Sequence, residues 1–588
     1  MVLKVIGFKL KTPLLVLILF ILVCYNALHF KNINVETSSI NNVKELNIVK
    51  ILEKLDSSKP SKNNCNQFWK EIRNHYNITN DYNDTGFDPK KDTIWNQEPL
   101  FHKFQNHTAL IRAYNHCYLD QNKCDIELER RIFPWYSFKS PIINHRVKGD
   151  RKIFKDDLCF NKIKSNLRKK GIALTAKEFH LRDLINLITL LRALGTSIPL
   201  QIIHRGDFSK FAQIKLHEIA KAELTQEIKD LIGFKVEVFP QMNIEFIDIS
   251  RVINQSFNSK IQKFTNKLLA YLFNTFEEVI LIDADTIPFV PLQDFFKLEE
   301  YKTKGAFFFK DRALNNAHDQ IDTIDLFTKL TPSLPEINKL GIPKLTSYTW
   351  DNHFFKHGFK HLMESGLVIV NRKQHFVNPL MAIHLALYPN IIGDRVWGDK
   401  ELYWLAMAIS GDESYEFNSN FAASIGEIST GSQSHYPKLT NTKELCSNHP
   451  SHIYKNGKLL WMNTGFKYCK KLMHIDMTNP FFKGMTSQEM DKYNSSPLKI
   501  RQAIIPPVPL KANNWKMKNR DKPTFSWENK PYCEAYTLCA YDKLDDQIGE
   551  VIEFSEEDQK YFDYLGNIWF KGIDILKIVT TKAREKKH

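Results

Sequence analysis

The feature that most restricts the fold is a short apolar run ending in two aspartates. Val279, Ile280, Leu281 and Ile282 follow one another without a polar interruption, as in a central strand covered on both faces. The run stops at Asp283-Ala284-Asp285, and Pro288 and Pro291 close the segment. In open α/β sheets ligands sit just beyond the carboxyl ends of the strands. Two carboxylates there can share a hard divalent cation that also holds a diphosphate. A surface Asp pair at a strand-to-loop turn is the plainer reading. Position favours the first, as does the absence of a second Asp-x-Asp in the 588 residues.

The residues before this strand alternate between the two periods. Gly171–Thr175 reads as a strand, and Phe179–Leu194 repeats apolar residues at helical spacing (Leu181, Leu184, Ile185, Ile188, Leu191) and stops at Gly195. Pro199–Ile203 is a second strand, Phe208–Ile232 a long helical interval, and Phe234–Val238 a third strand. Phe246–Ile249 is a weaker fourth, and Lys260–Phe273 is helical and leads into the opening strand. Such alternation predicts an α/β fold with a mostly parallel central sheet and helices on both faces.

The N-terminus sets the compartment. Residues 1–13 carry Lys4, Lys9 and Lys11 and no acid, and the first carboxylate is Glu36. Leu14–Tyr25 is unbroken apolar sequence that runs on to Phe30, near the lower limit of about 17 residues for a membrane helix. The preceding lysines put the N-terminus in the cytosol, and Tyr25 before Ala27 makes a poor cleavage site. The expectation is an uncleaved anchor, short enough for a thin early-secretory or Golgi membrane. Asn77, Asn83, Asn106, Asn254 and Asn494 head glycosylation sequons. Of nine cysteines, Cys24 lies in the anchor and eight remain, an even set for an oxidising lumen. Cys117 with Cys124, and Cys533 with Cys539, are close enough to pair, though spacing does not fix connectivity. The net charge of +15 comes with neither a zinc spacing nor an aromatic-basic ribonucleoprotein motif, so nucleic acid is not an expected partner. A basic surface suits sugar-nucleotide phosphates or anionic glycans.

Residues 31–62 are polar and read as a stalk, with a helical interval Val43–Leu55 whose Val43, Leu46, Val49 and Leu52 could line one face. Cys65 to about Gly149 shows no clear period and reads as an extension packed on the main domain. Downstream, Gly305–Phe309 is a strand ending at Lys310-Asp311-Arg312, and Glu364-Ser365-Gly366 opens the strand Leu367–Val370. A helix is expected over Lys373–Leu387. Gly398-Asp399-Lys400-Glu401 precedes another apolar helix, where Asp399 is placed for a cap or for the helix dipole. Asn456-Gly457 marks a hairpin, His474 and Asp476 follow it, and the stretch from Glu550 reads as helix.

Taken together, GIALTA, LIDADTIP, ESGLVIVNR, GDKELYWLA and CSNHPSHIYKNGKLLWMNTGFKYCK stand in one order behind a short anchor. They resemble the fungal Golgi α-1,3-mannosyltransferases that cap mannan outer chains and O-linked mannose chains, a family shared with α-1,2-mannosyltransferases. The likeness covers roughly residues 160–540. It implies a GT-A-like nucleotide-sugar-binding fold, GDP-mannose as donor, Mn²⁺ as cofactor, mannose-terminated N- or O-linked glycans as acceptors and retention of the anomeric configuration. On this reading residues 1–13 are a cytosolic tail, 14–30 the signal-anchor and 31–100 a lumenal stem that leaves room for homo- or hetero-oligomers. Residues 101–160 form an extension, 161–545 the catalytic domain and 546–588 a C-terminal segment.

Carried over residue by residue, Asp283 and Asp285 match the family's Asp-x-Asp, with Asp285 the direct metal ligand and Asp283 aiding metal or ribose. Glu364 and Asp399 match positions lining the donor and acceptor pocket and are the candidate catalytic carboxylates. His474 is a candidate third metal ligand, a structural histidine being the alternative. Lys400 and Glu401 belong to the same match, though their side chains could face the helix exterior. A departing diphosphate also calls for cations; Arg205, Lys263 and Lys267 are candidates because they lie near strand ends or ahead of the aspartate strand. The alternatives are an α-1,2-mannosyltransferase, a transferase using another sugar nucleotide, and a non-catalytic membrane-anchored glycan-binding protein.

Overall fold

The computed structural model describes residues 46–144, 149–233, 239–261, 263–469, 478–512 and 521–585. The expected anchor, the strand Phe234–Val238 and His474 lie outside these residues. Among the described residues no helix is long and apolar enough to cross a membrane.

Among the described residues nine strands form the central sheet: β1 (Ile142–Asn144), β2 (Arg151–Lys152), β3 (Arg168–Thr175), β4 (Leu200–His204), β5 (Ile244–Asp248), β6 (Phe276–Ile282), β8 (Ala306–Lys310), β9 (Met363–Asn371) and β10 (Glu416–Phe417). Their order is β10-β8-β9-β6-β3-β4-β5-β1-β2. A short β7 (Ile287–Pro288) leaves the sheet and pairs with the strand Leu459–Met462. The four middle strands β6-β3-β4-β5 are parallel, as the alternation predicts. The whole sheet is mixed, however, because β9 runs antiparallel to both β6 and β8. A parallel strand needs a crossover back to the edge where its neighbour began. The chain between β8 and β9 makes none: Asp311 N donates to Leu362 O at 2.8 Å, so the chain returns at the edge where it left.

Helices cover both faces. Leu181–Ala193 packs its Leu184, Leu187, Ile188 and Leu191 into one side, where the thirty-residue C-terminal helix Glu556–Glu585 lies across it through Leu565, Ile568 and Ile575. The segment from residue 546 is thus part of the main core. Gly572 makes the crossing close, since a Cβ there would stand 2.7 Å from Asn186 Oδ1. The single helix expected over Phe208–Ile232 is two, Lys210–Lys221 and Gln226–Ile232. Between them Ala222 turns extended, and its carbonyl, like that of Ile219, accepts from the buried Arg192 guanidinium.

The N-terminal third differs most from the sequence reading. The stretch read as aperiodic holds the helices Ser61–His75, Glu98–Tyr114 and Ile126–Ile132. Glu98–Tyr114 is buried nearly all round from Phe104 on, so it has no polar face to give a period. Nor is the chain a stalk from residue 46 onward: Ile48, Ile51, Leu52 and Leu55 are buried in the core on the sheet's other face, with Ala173, Val279 and Leu281, and Val49, expected on the apolar face, is exposed. All eight cysteines beyond Cys24 are paired, as Cys65–Cys117, Cys124–Cys159, Cys446–Cys539 and Cys469–Cys533. Neither near-neighbour pairing occurs. Cys539 instead faces Cys446 across an antiparallel ladder.

Candidate active site

Strand direction assembles the site. β6 ends at Ile282, directly opposite Leu367 of the antiparallel β9, so Glu364-Ser365-Gly366 lies beside Asp283. The contact is close: Asp283 N donates to Gly366 O at 3.0 Å and Thr286 Oγ1 to the same oxygen at 2.7 Å. Gly366 must be glycine, since a Cβ would fall 2.8 Å from the Trp461 ring. At the same edge Lys310, the last residue of β8, pairs with Met363 and brings up Asp311. The helix Thr265–Phe273 leads directly into β6, which puts its first turn, and Lys267, at this edge. Asp399 and Lys400 come from the turn before the helix Leu402–Ile409, and Asn463 from the loop after Leu459–Met462.

Two lysines, Lys267 buried and Lys400 half-buried, tie these carboxylates together. Lys267, 6% exposed, sets its Nζ 2.8 Å from Asp283 Oδ1 and 3.6 Å from Asp399 Oδ2, and donates to Ser365 O at 2.6 Å. Lys400 Nζ bridges Asp311 Oδ2 at 2.7 Å and Glu364 Oε2 at 2.6 Å. The other oxygen of Glu364 accepts from Gly366 N at 3.0 Å and Asn463 Nδ2 at 3.1 Å. Tyr403 donates to Asp399 Oδ2 at 2.8 Å.

The titration behaviour follows from this arrangement. Burial pulls the Lys267 ammonium down, but the Asp283 and Asp399 carboxylates outweigh it and hold its pKa above the ordinary value. Burial pushes Asp283 up to about 6; Lys267 opposes the shift, and the Asp399 and Asp285 charges add to it. Against burial, Lys400 and then Arg312 hold Asp311 well below the carboxylate range. Lys400 is held well above its own, its burial overcome by Asp311 and Glu364.

Glu401 carries a measurable consequence. It is fully buried and accepts from Trp404 Nε1 at 2.5 Å, Leu362 N at 2.8 Å and Met363 N at 3.0 Å, and burial pushes it up from 4.5 to about 7. Between these values the folded chain holds a proton that the unfolded chain has lost, so stability falls as pH rises through the window. The group's share is on the order of 3 kcal/mol. Glu401→Gln is expected to lower stability at every pH, because one side-chain amide cannot accept from all three donors, and to flatten this part of the slope. Denaturant titrations from pH 4.5 to 8 check it; equal slopes in the two proteins contradict it.

Of the residues expected from sequence, Asp283, Glu364 and Asp399 come together, and Asp285 lies two residues on, its carbonyl accepting from Gly465 N at 2.7 Å. Lys267 alone of the three proposed cations joins them. Arg205 braces a loop through Ile261 O and Asn258 Oδ1, and Lys263 sits in the exposed turn before the Lys267 helix. Lys400 and Glu401 point inward rather than along the helix exterior. Asp399 reaches Lys267 and Tyr403, and its helix starts without a side-chain cap. Sequence reasoning missed Asp311, Asn463 and Tyr403; the position of Asp311 at the end of a strand was the available signal. Among the sequons, Asn77, Asn83 and Asn254 are exposed. Asn106 Nδ2 donates to His102 O, and its Oδ1 accepts from Ile48 N. Asn494 is 4% exposed, so a glycan there would have to precede folding.

Asp283 and Asp285 offer the hard oxygen donors that Mn²⁺ takes. Asp283 keeps 37% of its side chain open to solvent. Five carboxylates (Asp283, Asp285, Asp311, Glu364 and Asp399) stand against three cations (Lys267, Lys400 and Arg312), an excess of negative charge that a divalent cation would balance. The donor set therefore fits the expected metal. A separate group of metal-type side chains, His435, Glu444, Cys446 and Cys539, has both sulfurs in a disulfide.

Residues 169–454 match the family described as "Mannosyltransferase putative". The chain is 35% identical over 540 residues to "Putative alpha-1,3-mannosyltransferase MNN14" of Candida albicans, covering 83% of this chain and 76% of that one. It is also 35% identical to "Putative alpha-1,3-mannosyltransferase MNN13" of the same organism, covering 76% and 65%. Among solved structures, the mannosyltransferase Ktr4p from S. cerevisiae overlays 60% of this chain and 84% of its own at 10% identity and a TM-score of 0.25.

Proposed function

Because the chain belongs to the mannosyltransferase family that these relatives share, we propose that it moves mannose from GDP-mannose to the terminal mannose of N- or O-linked glycans, forming α-1,3 links with retention. The α-1,3 linkage follows the names of the relatives. The enzyme works on a GT-A-like fold in the Golgi lumen, anchored by residues 14–30 as a type II membrane protein. The reading is carried by the meeting of Asp283, Asp285, Glu364, Asp399 and Lys267 at one edge of the sheet, with carboxylates in excess.

Asp283 and Asp285 would hold Mn²⁺, which as a Lewis acid supplies charge stabilisation to the departing diphosphate. Lys267 fixes Asp283 against Asp399. Glu364 has both oxygens committed, to Lys400 on one side and to Gly366 N and Asn463 on the other. A carboxylate held so firmly suits stabilisation of the positive charge that grows at the anomeric carbon, the role that needs least movement. Asp399 faces the same space with one oxygen shared between Lys267 and Tyr403.

The test is to incubate the lumenal chain with Mn²⁺, short mannose oligomers and a panel of sugar nucleotides. Transfer from GDP-mannose, giving a product that resists α-1,2-specific mannosidase, is the expected result. Transfer from another donor only, or a product wholly cleaved by that mannosidase, overturns the reading.

A further inference from the structure

Close in the chain to these carboxylates, two large aromatic side chains are left open to solvent. Trp397 is 61% exposed and Phe264 is 54% exposed. Both are tied closely to charged residues of the site: Phe264 stands three residues before Lys267, and Trp397 two before Asp399. Gly398 joins them. Its φ is +66°, and a Cβ there would come within 3.3 Å of three atoms of the Phe264 ring, so the Trp397-Gly398 backbone lies against that ring. Leaving two such side chains in water forgoes roughly 1.5–3 kcal/mol each in burial. Exposed apolar groups clustered at the mouth of a polar cleft mark a ligand surface.

A second observation comes from the residue behind Trp397. The rings of His361 and Trp397 lie 5.1 Å apart at 60°. His361 is 5% exposed, yet its Nε2 is buried with no hydrogen-bond partner. Burial pulls its pKa down to about 4 against the pull of Asp311, with Lys400, Lys360 and Arg312 reinforcing the fall, so the ring is neutral and can accept or donate one hydrogen bond.

A pyranose has an apolar face of C–H groups, which matches an exposed aromatic platform. We propose that Trp397 and Phe264 form the platform on which a mannose residue of the acceptor stacks, with His361 packed behind Trp397 to hold the indole in place. The acceptor is favoured over the donor sugar because a protein-linked glycan must enter from solvent, where the two rings are exposed. The donor sugar must lie inward, next to its diphosphate and the buried carboxylates. This assignment rests on the mannosyl-transfer reading.

The experiment compares the full chain with Trp397→Ala, Phe264→Ala and His361→Phe, the last of which keeps the ring contact and removes the nitrogen. With α-mannobiose as acceptor and GDP-mannose as donor, Trp397→Ala is expected to raise the acceptor KM roughly tenfold or more. Donor KM should stay within about twofold and kcat within about threefold; His361→Phe, which keeps a ring behind Trp397, should leave acceptor KM within about twofold. Acceptor KM within twofold of the parent in all three variants overturns the platform. If the parent transfers no mannose, the transfer reading fails by itself. The platform is then tested by titrating α-mannobiose against tryptophan fluorescence. A saturable change that is lost in Trp397→Phe supports it, and no change in the parent overturns it.

Discussion

Replacing Lys400 with methionine is expected to destabilise the fold by about 3–5 kcal/mol and to abolish transfer. The size of the effect comes from what is left behind. Lys400 stands between two buried carboxylates, 2.7 Å from Asp311 and 2.6 Å from Glu364, and Asp311 is held far below the usual carboxylate range by this ammonium and by Arg312. Without the lysine, two negative charges face each other in a site that water reaches poorly. The loss should shrink in acid, as Asp311, no longer held down by the ammonium, takes up a proton. Urea unfolding with an unchanged m-value measures it. A loss under about 1 kcal/mol would mean that the triad contributes no more than an exposed ion pair. Transfer fails for a separate reason: Glu364 is placed by Lys400 on one oxygen and by Gly366 N and Asn463 on the other.

Asp285→Ala should do the opposite to stability while still disabling the chemistry. It removes one charge from a cluster already rich in carboxylates, so the unfolding midpoint should hold or rise slightly. Metal-dependent transfer should fall by about a thousandfold or more, since the Lewis acid's share of transition-state stabilisation is several kcal/mol. Initial rates across a Mn²⁺ titration check this, and undiminished turnover would overturn the metal assignment. Asp283→Asn is a less clean probe, because Asp283 also partners the buried Lys267.

The middle of the sheet was legible because Gly171–Thr175, Pro199–Ile203 and Val279–Ile282 carry their burial in their own composition. The direction of β9 was not. Leu367–Val370 reads the same either way, and only the course of the chain through residues 311–362 decides it. That direction matters most for function, because it carries Glu364 to Asp283 and leaves Asp311 at the same edge. Lys400 was ambiguous for a related reason: a lysine beside an apolar helix is usually solvated, and its burial depends on two acids distant in sequence. The cysteines show the limit of spacing, since Cys446 meets Cys539 through strand pairing across 93 residues. In the N-terminal third, a helix buried nearly all round left no polar face for a period to reveal.

The most direct measurement is NMR assignment of the product formed by the chain from GDP-mannose and α-mannobiose. The account predicts a new mannose joined through O3 of the acceptor's terminal residue in the α configuration of the donor. A β-linked mannose, or substitution only at another hydroxyl, would contradict it.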